Sequence, residues 1–279
     1  ASCSAVSTVR VSACPAPAPP AYSEQGGSAF QREAEEVHRI SQAATQEQRQ
    51  VSLYWADDPL KTPTPAGHWT FIATDQLKAN KASLARASQV YARLHLAMAD
   101  AFIATWKTKY TVNLLRPVTA VQLMIDSQWV PTLMNTPPFP EYTSGHSVLS
   151  SAAAGVLEAE FGANTRFTDN AHNDRGWGPR SFASFRAAAD EAAVSRLYAG
   201  IHFRSGIEGG KAQGRCVSAS SMSSRRRCLT ASQMRGSRRA VDWRSSPWTW
   251  TAGNRSCSTS PPWPCTATAR TACRATSTT

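Results

Sequence analysis

Three short stretches hold side chains that could do chemistry together. Lys109 and Arg116 stand in "KYTVNLLRP", Ser144, Gly145 and His146 in "PEYTSGH", and Arg196 and His202 in "SRLYAGIH". A guanidinium offers a planar fork to an oxyanion, an ammonium adds a compact charge, and an imidazole moves a proton near neutral pH. Lysine, two arginines, a hydroxyl beside a glycine, and two histidines are what a tetrahedral oxyanion needs for binding. The histidines could then act as acid, base or nucleophile.

The spacing says which elements must hold these groups. Seven residues are about two helical turns, so Lys109 and Arg116 would share a face of one continuous helix. Pro117 holds Arg116 in an extended or turn conformation, which places lysine on the last turns and arginine on the loop beyond. Pro137, Pro138 and Pro140 exclude helix, so the next one starts at Ser144, a good cap. Gly145 lets backbone approach a ligand there, where free N–H groups and the helix dipole attract an anion. Arg196 and His202 are six residues apart, about 240° of helical rotation, and Gly200 between them offers the break that could realign them. Taken singly, each cluster also reads as a solvated charge or a capped helix.

Between about residues 28 and 213 the pattern is helical and predicts an all-α helical bundle. "AFQREAEEVHRISQAATQEQRQVSLYWA" is rich in helix formers, and "DDPLKTPTPAGHW" reads as a loop by its prolines and glycine. "SLARASQVYARLHLAMADAFIATWKTKY" sets Leu84, Ala87, Tyr91, Leu94, Met98, Phe102 and Trp106 on one stripe. "HSVLSSAAAGVLEAEFG" predicts a buried helix ending at Gly162, and another strong helix is expected from Ser181.

A chain of 279 residues can bury a large core, and no apolar run approaches the roughly 18 residues of a membrane span. The net charge of +11 invites a nucleic-acid reading that fails once the charge is located. Residues 214–279 carry 11 arginines and a single acid, Asp242, whereas residues 1–213 are nearly balanced. Five of the seven cysteines also lie there, with Cys3 and Cys14 in an irregular opening segment, at spacings that fit no zinc or disulfide pattern. Three parts are therefore expected: an irregular segment 1–27, a helical domain 28–213, and an Arg/Ser/Thr/Cys-rich tail 214–279. The preferred explanation of both ends is a shifted reading frame, with an arginine-rich, polyanion-binding tail as the alternative. The helical domain is expected to stand without the tail.

Taken together, "KYTVNLLRP", "PEYTSGH" and "SRLYAGIH" resemble the three-part signature shared by vanadium haloperoxidases and type-2 phosphatidic-acid or bacterial acid phosphatases. The resemblance spans roughly residues 28–213 and implies an all-helical fold around an oxyanion site. By that resemblance Lys109, Arg116 and Arg196 hold the equatorial oxygens, with Ser144 and the Gly145 N–H assisting. His202 is the axial ligand to vanadate, or the nucleophile toward phosphate, and His146 is the acid–base group. The implied small-molecule substrates are hydrogen peroxide and halide with a vanadate cofactor, or a phosphomonoester with no cofactor. The sequence leaves the location open; a secreted or periplasmic one is expected, although no complete signal peptide is visible.

Trp106 and Phe139 are similar to an aromatic pair that lines the halide site in chloroperoxidases of the family; Trp106 reads equally as core. "WADDP" resembles a segment whose aspartate pairs with the second arginine, which makes Asp58 the expected partner of Arg196. Haloperoxidase is therefore preferred, with acid phosphatase as the alternative and a folded but catalytically impaired member as a third reading. The third reading rests on two departures. Thr143 stands where the family usually has proline. Gly206 stands where it has an aspartate one turn beyond His202, and Glu208 faces elsewhere. His202 is thus expected to be poorly held, and Gly206→Asp to restore its partner.

Overall fold

Thr45 splits the first helical stretch in two. In the computed structural model, which describes residues 14–58 and 63–235, α1 (Ala29–Gln42) is capped by Ser28, and α2 (Gln46–Tyr54) starts at a capping box between Thr45 and Gln48. The stretch expected as a loop holds the start of α3 (Pro65–Ala79), because Pro65 takes the first helical position, where no N–H is needed. α4 (Leu84–Val112) ends at Asn113 in the left-handed conformation. Its inward face is Val90, Leu94, Ala97, Met98, Ala101, Ala104, Thr105 and Lys109. The expected stripe is corrected at both ends: Leu84 is 84% exposed and Trp106 40% exposed, so Trp106 is not core.

Arg116 caps α5 (Pro117–Met124), and Ser144 caps α6 (Gly145–Phe161). Every residue of α6 from Ser147 to Leu157 is buried, so this helix is the axis of the bundle. A hairpin of β1 (Phe167–Asp169) and β2 (Arg180–Phe182), with Phe167 opposite Phe182, precedes α7 (Phe185–Tyr198). The helix expected from Ser181 therefore starts later, at its cap Ser184. The long α8 (Arg204–Arg235) completes a mainly α-helical fold.

α6 packs most extensively against α8, then against α7 and α4. The α6–α8 approach is close because α8 presents glycine: a Cβ at Gly214 would come within 2.8 Å of the Cβ of Ser151. Elsewhere on α6, Leu149 and Leu157 join Phe185 and Ala188 in the main apolar core, together with Trp69 and Ile72 of α3. Each large apolar side chain buried there stabilises by about 1.5–3 kcal/mol.

The boundary expected at residue 213 falls inside α8. Val217, Ser218 and Ser221 are buried, the Ser221 hydroxyl bonds Asp100 Oδ2 at 2.9 Å, and a disulfide joins Cys14 to Cys216. Small Ser, Ala and Gly residues pack this segment without aliphatic periodicity, which is why composition alone sets it with the tail. Residues 1–13 and 236–279, on which the frame-shift expectation also bears, lie outside the described residues. No helix among the described residues is long and apolar enough to cross a membrane.

Candidate oxyanion site

The three expected cations are all buried. Lys109, near the end of α4, is 0% exposed and donates from Nζ to the carbonyls of Pro140 and Glu141, both at 2.9 Å. An ammonium has three hydrogens, so one is left for a ligand. Arg116 donates from Nε to the Phe139 carbonyl at 2.8 Å and from Nη1 to the Ile201 carbonyl at 2.9 Å. Arg196, on the last turn of α7, donates from Nη1 to the Trp55 carbonyl at 2.8 Å and from Nη2 to the Met134 sulfur at 2.8 Å. Asp57 and Asp58 both act on its charge, with Asp57 foremost. The Asp58 expected from sequence is therefore joined by a buried neighbour.

Gly200, at φ 76°, makes the break that brings His202 round to Arg116. His202 Nε2 lies 3.1 Å from Arg116 Nη1, and Nδ1 lies 2.7 Å from Glu141 Oε1. Arginine can only donate, so Nε2 is the acceptor and Nδ1 carries the hydrogen given to Glu141. The ring is neutral: burial, then Arg116 and Lys109, hold its pKa well below the ordinary histidine value. His146, in the first turn of α6, is likewise held well below by burial and then by Arg196. Its Nε2 is buried without a hydrogen-bond partner, 4.0 Å from Asp57 Oδ2. Ser144 is buried and accepts the Ser147 N–H, and Gly145 opens the helix beside it.

Three cations meet in this cluster, with Glu141 acting on Lys109 and Arg116, and Asp57 and Asp58 on Arg196. Burial pulls Arg116 and Arg196 each down to about 10 and lowers Lys109, with Arg116 adding repulsion. Arg116 Nη2, Arg196 Nε and His146 Nε2 are all buried without partners. The two guanidinium nitrogens are donors, and buried donors without partners are costly, so the cluster is built to meet an anion. The donor set (two guanidiniums, one ammonium, a helix N-terminus) suits a tetrahedral oxyanion such as vanadate or phosphate, and His202 Nε2 suits its central atom once Arg116 Nη1 turns from that nitrogen to the anion.

Beside the cations, the rings of Trp106 and Phe139 meet edge to face at 4.8 Å between centroids. Lys109 Nζ lies 5.7 Å from the first ring centre and 5.2 Å from the second. Trp106 thus joins the buried lysine to solvent.

Several residues at the site carry no signal in the sequence. Glu141, 0% exposed, sits within the quoted "PEYTSGH", yet only the fold aims it at His202. It occupies the space beside Gly206, where a Cβ would come within 2.7 Å of Oε2. The expectation that His202 lacks an acidic partner is therefore corrected. Thr143, in the place of proline, donates its hydroxyl to Gln213 at 2.9 Å, a bond proline could not make.

Asp57, His68 and His172 lie close enough together to suggest a metal centre. The hydrogen bonds argue against one. His68 bridges Asp57 at 2.9 Å and Asp169 at 2.7 Å, so both its nitrogens donate and neither lone pair remains. Its pKa is raised to about 9 by the two aspartates, against the lowering effect of burial. The cluster is an Asp–His–Asp bridge behind the Arg196 side of the site.

Residues 89–128 and 121–231, together about half of the chain, match the family described as VCPO second helical-bundle domain. The chain is similar to the solved structure of the first bacterial vanadium-dependent iodoperoxidase, at 42% identity and TM-score 0.71, covering 75% of this chain and 52% of that one. It also shares its fold with a holo-type bacterial vanadium-dependent chloroperoxidase (17% identity, TM-score 0.56, covering 71% of this chain and 48% of that one). An apo-type bacterial vanadium-dependent chloroperoxidase matches at 18% identity and TM-score 0.59, over 76% of this chain and 52% of that one. The chain thus spans about half the length of these structures. No curated protein sequence matches it.

Proposed function

Since the chain belongs to the vanadium haloperoxidase superfamily, we propose that its cationic site holds vanadate and oxidises halide with hydrogen peroxide to hypohalous acid. The observation that carries this reading is the pair of buried, unpartnered guanidinium N–H groups on Arg116 and Arg196, beside the unpartnered Nε2 of His146. They mark a site short of one oxyanion. The likeness to an iodoperoxidase supports a redox role for that oxyanion and makes iodide the first halide to try.

Lys109, Arg116 and Arg196 would hold the oxygens, Ser144 and the Gly145 N–H would assist, and His202 Nε2 would ligate the vanadium. When bound, vanadate supplies the Lewis acid that activates hydrogen peroxide toward halide. The chain's own residues do the rest. Lys109 offers its remaining hydrogen where negative charge develops. His146, neutral before the anion arrives, takes and returns a proton at Nε2. An oxyanion beside it raises its pKa toward the working range. Trp106 and Phe139 give halide an apolar-edged, positively biased approach from solvent past Lys109.

Phosphomonoester hydrolysis is the second reading, favoured by the same neutral His202, whose Nε2 could attack phosphorus once Arg116 Nη1 passes from it to the phosphate. The two separate in one experiment on the full chain: iodide oxidation by peroxide with and without orthovanadate, beside p-nitrophenyl phosphate hydrolysis. Halide oxidation that requires vanadate supports the proposal. Vanadate-inhibited hydrolysis with no halide oxidation reverses it.

A further inference from the structure

Glu141 ties the site together through two different groups. Its backbone carbonyl accepts Lys109 Nζ at 2.9 Å. Its carboxylate Oε1 accepts His202 Nδ1–H at 2.7 Å and the Phe203 N–H at 3.0 Å. The side chain is fully buried. The position that could otherwise supply a carboxylate to this ring is Gly206, and the space above Gly206 is already taken: a Cβ there would lie 2.8 Å from Glu141 Cδ and 2.7 Å from Oε2. One carboxylate fits beside His202, and the loop before α6 provides it.

We propose that Glu141 is the positioning residue of His202, fixing its Nδ1–H tautomer and turning Nε2 toward the oxyanion, and that Gly206 is the glycine this arrangement requires. A partner on one imidazole nitrogen decides which nitrogen is left as ligand or nucleophile, and a negative partner makes that nitrogen a stronger donor. Without Glu141 only the Arg116 contact at Nε2 still favours this tautomer, and a ring no longer held at Nδ1 can turn away from that contact, so either tautomer becomes accessible. The role rests on the site being an oxyanion site, as proposed above, but the tautomer can be read without any anion.

The geometry makes a reciprocal test. Gly206→Asp alone would force a second carboxylate against Glu141. Glu141→Ala alone leaves Nδ1–H without its acceptor. The double variant Glu141→Ala/Gly206→Asp puts a short carboxylate into the vacated space. The full 279-residue chain and these variants, with Glu141→Gln, are labelled with 15N-histidine. The His202 tautomer is read by NMR, assigned against His202→Gln, and orthovanadate affinity is read by thermal shift.

The expected results are an Nδ1–H tautomer in wild type and in Glu141→Gln, whose amide oxygen still accepts. Glu141→Ala and Gly206→Asp should each lose the single tautomer and about 10- to 100-fold in vanadate affinity. The double variant should recover the tautomer and most of the affinity. If Glu141→Ala fails to fold, the double and glutamine variants still decide. The idea is overturned if Glu141→Ala keeps both readouts, if wild-type His202 is not Nδ1–H, or if the double variant does no better than Glu141→Ala. If wild type binds neither vanadate nor phosphate, while the tautomers behave as expected, it is the oxyanion reading that fails.

Discussion

Arg116 Nη1 lies 3.1 Å from Nε2 of His202, and this contact keeps the histidine neutral with its lone pair toward the cations. The guanidinium keeps Nη2 buried and unpartnered at the same place. Arg116→Ala should therefore weaken orthovanadate binding by about 10- to 100-fold, the effect of losing a charged hydrogen bond of about 1.5–3 kcal/mol. The readout is the rise in melting temperature that saturating vanadate produces, since a ligand of the folded state alone stabilises by mass action. A full shift in the variant would show that Arg116 does not hold the anion.

Trp106 separates two readings of one residue. Its 40% exposure and its edge-to-face contact with Phe139 place it at the rim. Trp106→Ala should change stability by no more than about 1 kcal/mol, against the roughly 3–5 kcal/mol expected of a buried tryptophan. It should raise the KM for halide more than it lowers kcat. A collapse in melting temperature would return the residue to the core.

Much of the site was legible because its cations come in order on short motifs, each beside a helix end that prolines, glycines or serine caps announce. Lys109, Arg116, Ser144, Arg196 and His202 needed no tertiary information to be named as candidates. Glu141 did, since nothing local says that a carboxylate before Ser144 reaches a histidine 61 residues later. His68 is similar: its partners Asp57 and Asp169 lie 11 and 101 residues away. The fold was legible where apolar periodicity is strong, as in α4, and hidden where small residues pack, as in α8.

That hidden packing reverses the expectation for truncation. A chain ending at residue 213 would lose Cys216, Val217, Ser218 and Ser221, which bind α8 to Cys14, α6 and Asp100. Cys216→Ser alone should lower stability by about 2–5 kcal/mol, as loss of a disulfide closing a long loop does. Urea unfolding with and without reductant checks this. A truncated chain as stable as the whole would contradict the structure of α8.

His68 makes stability depend on pH in a set direction. Its folded pKa, raised to about 9, exceeds the ordinary value of 6.5. Its contribution is therefore fully present below about pH 6.5 and is lost as pH rises through about 9. Lys109, whose pKa is lowered, works in the opposite direction over an overlapping range, so the difference between wild type and His68→Gln is the clean measure. That difference should be on the order of a few kcal/mol near pH 6 and shrink toward about pH 10. A difference that grows with pH would mean the ring is neutral in the fold.

The most direct measurement is halide oxidation by the purified full chain, freed of vanadate and phosphate and then titrated with orthovanadate. With hydrogen peroxide present, iodide should be oxidised, and a dione reporter brominated when bromide is supplied, in proportion to vanadate bound. Excess phosphate should suppress the rate, and Arg196→Ala, which removes the cation whose Nε is buried and unpartnered, should abolish it. No vanadate-dependent oxidation from folded protein that demonstrably binds vanadate would contradict the haloperoxidase reading, and rapid phosphomonoester hydrolysis in the same preparation would put a phosphatase in its place.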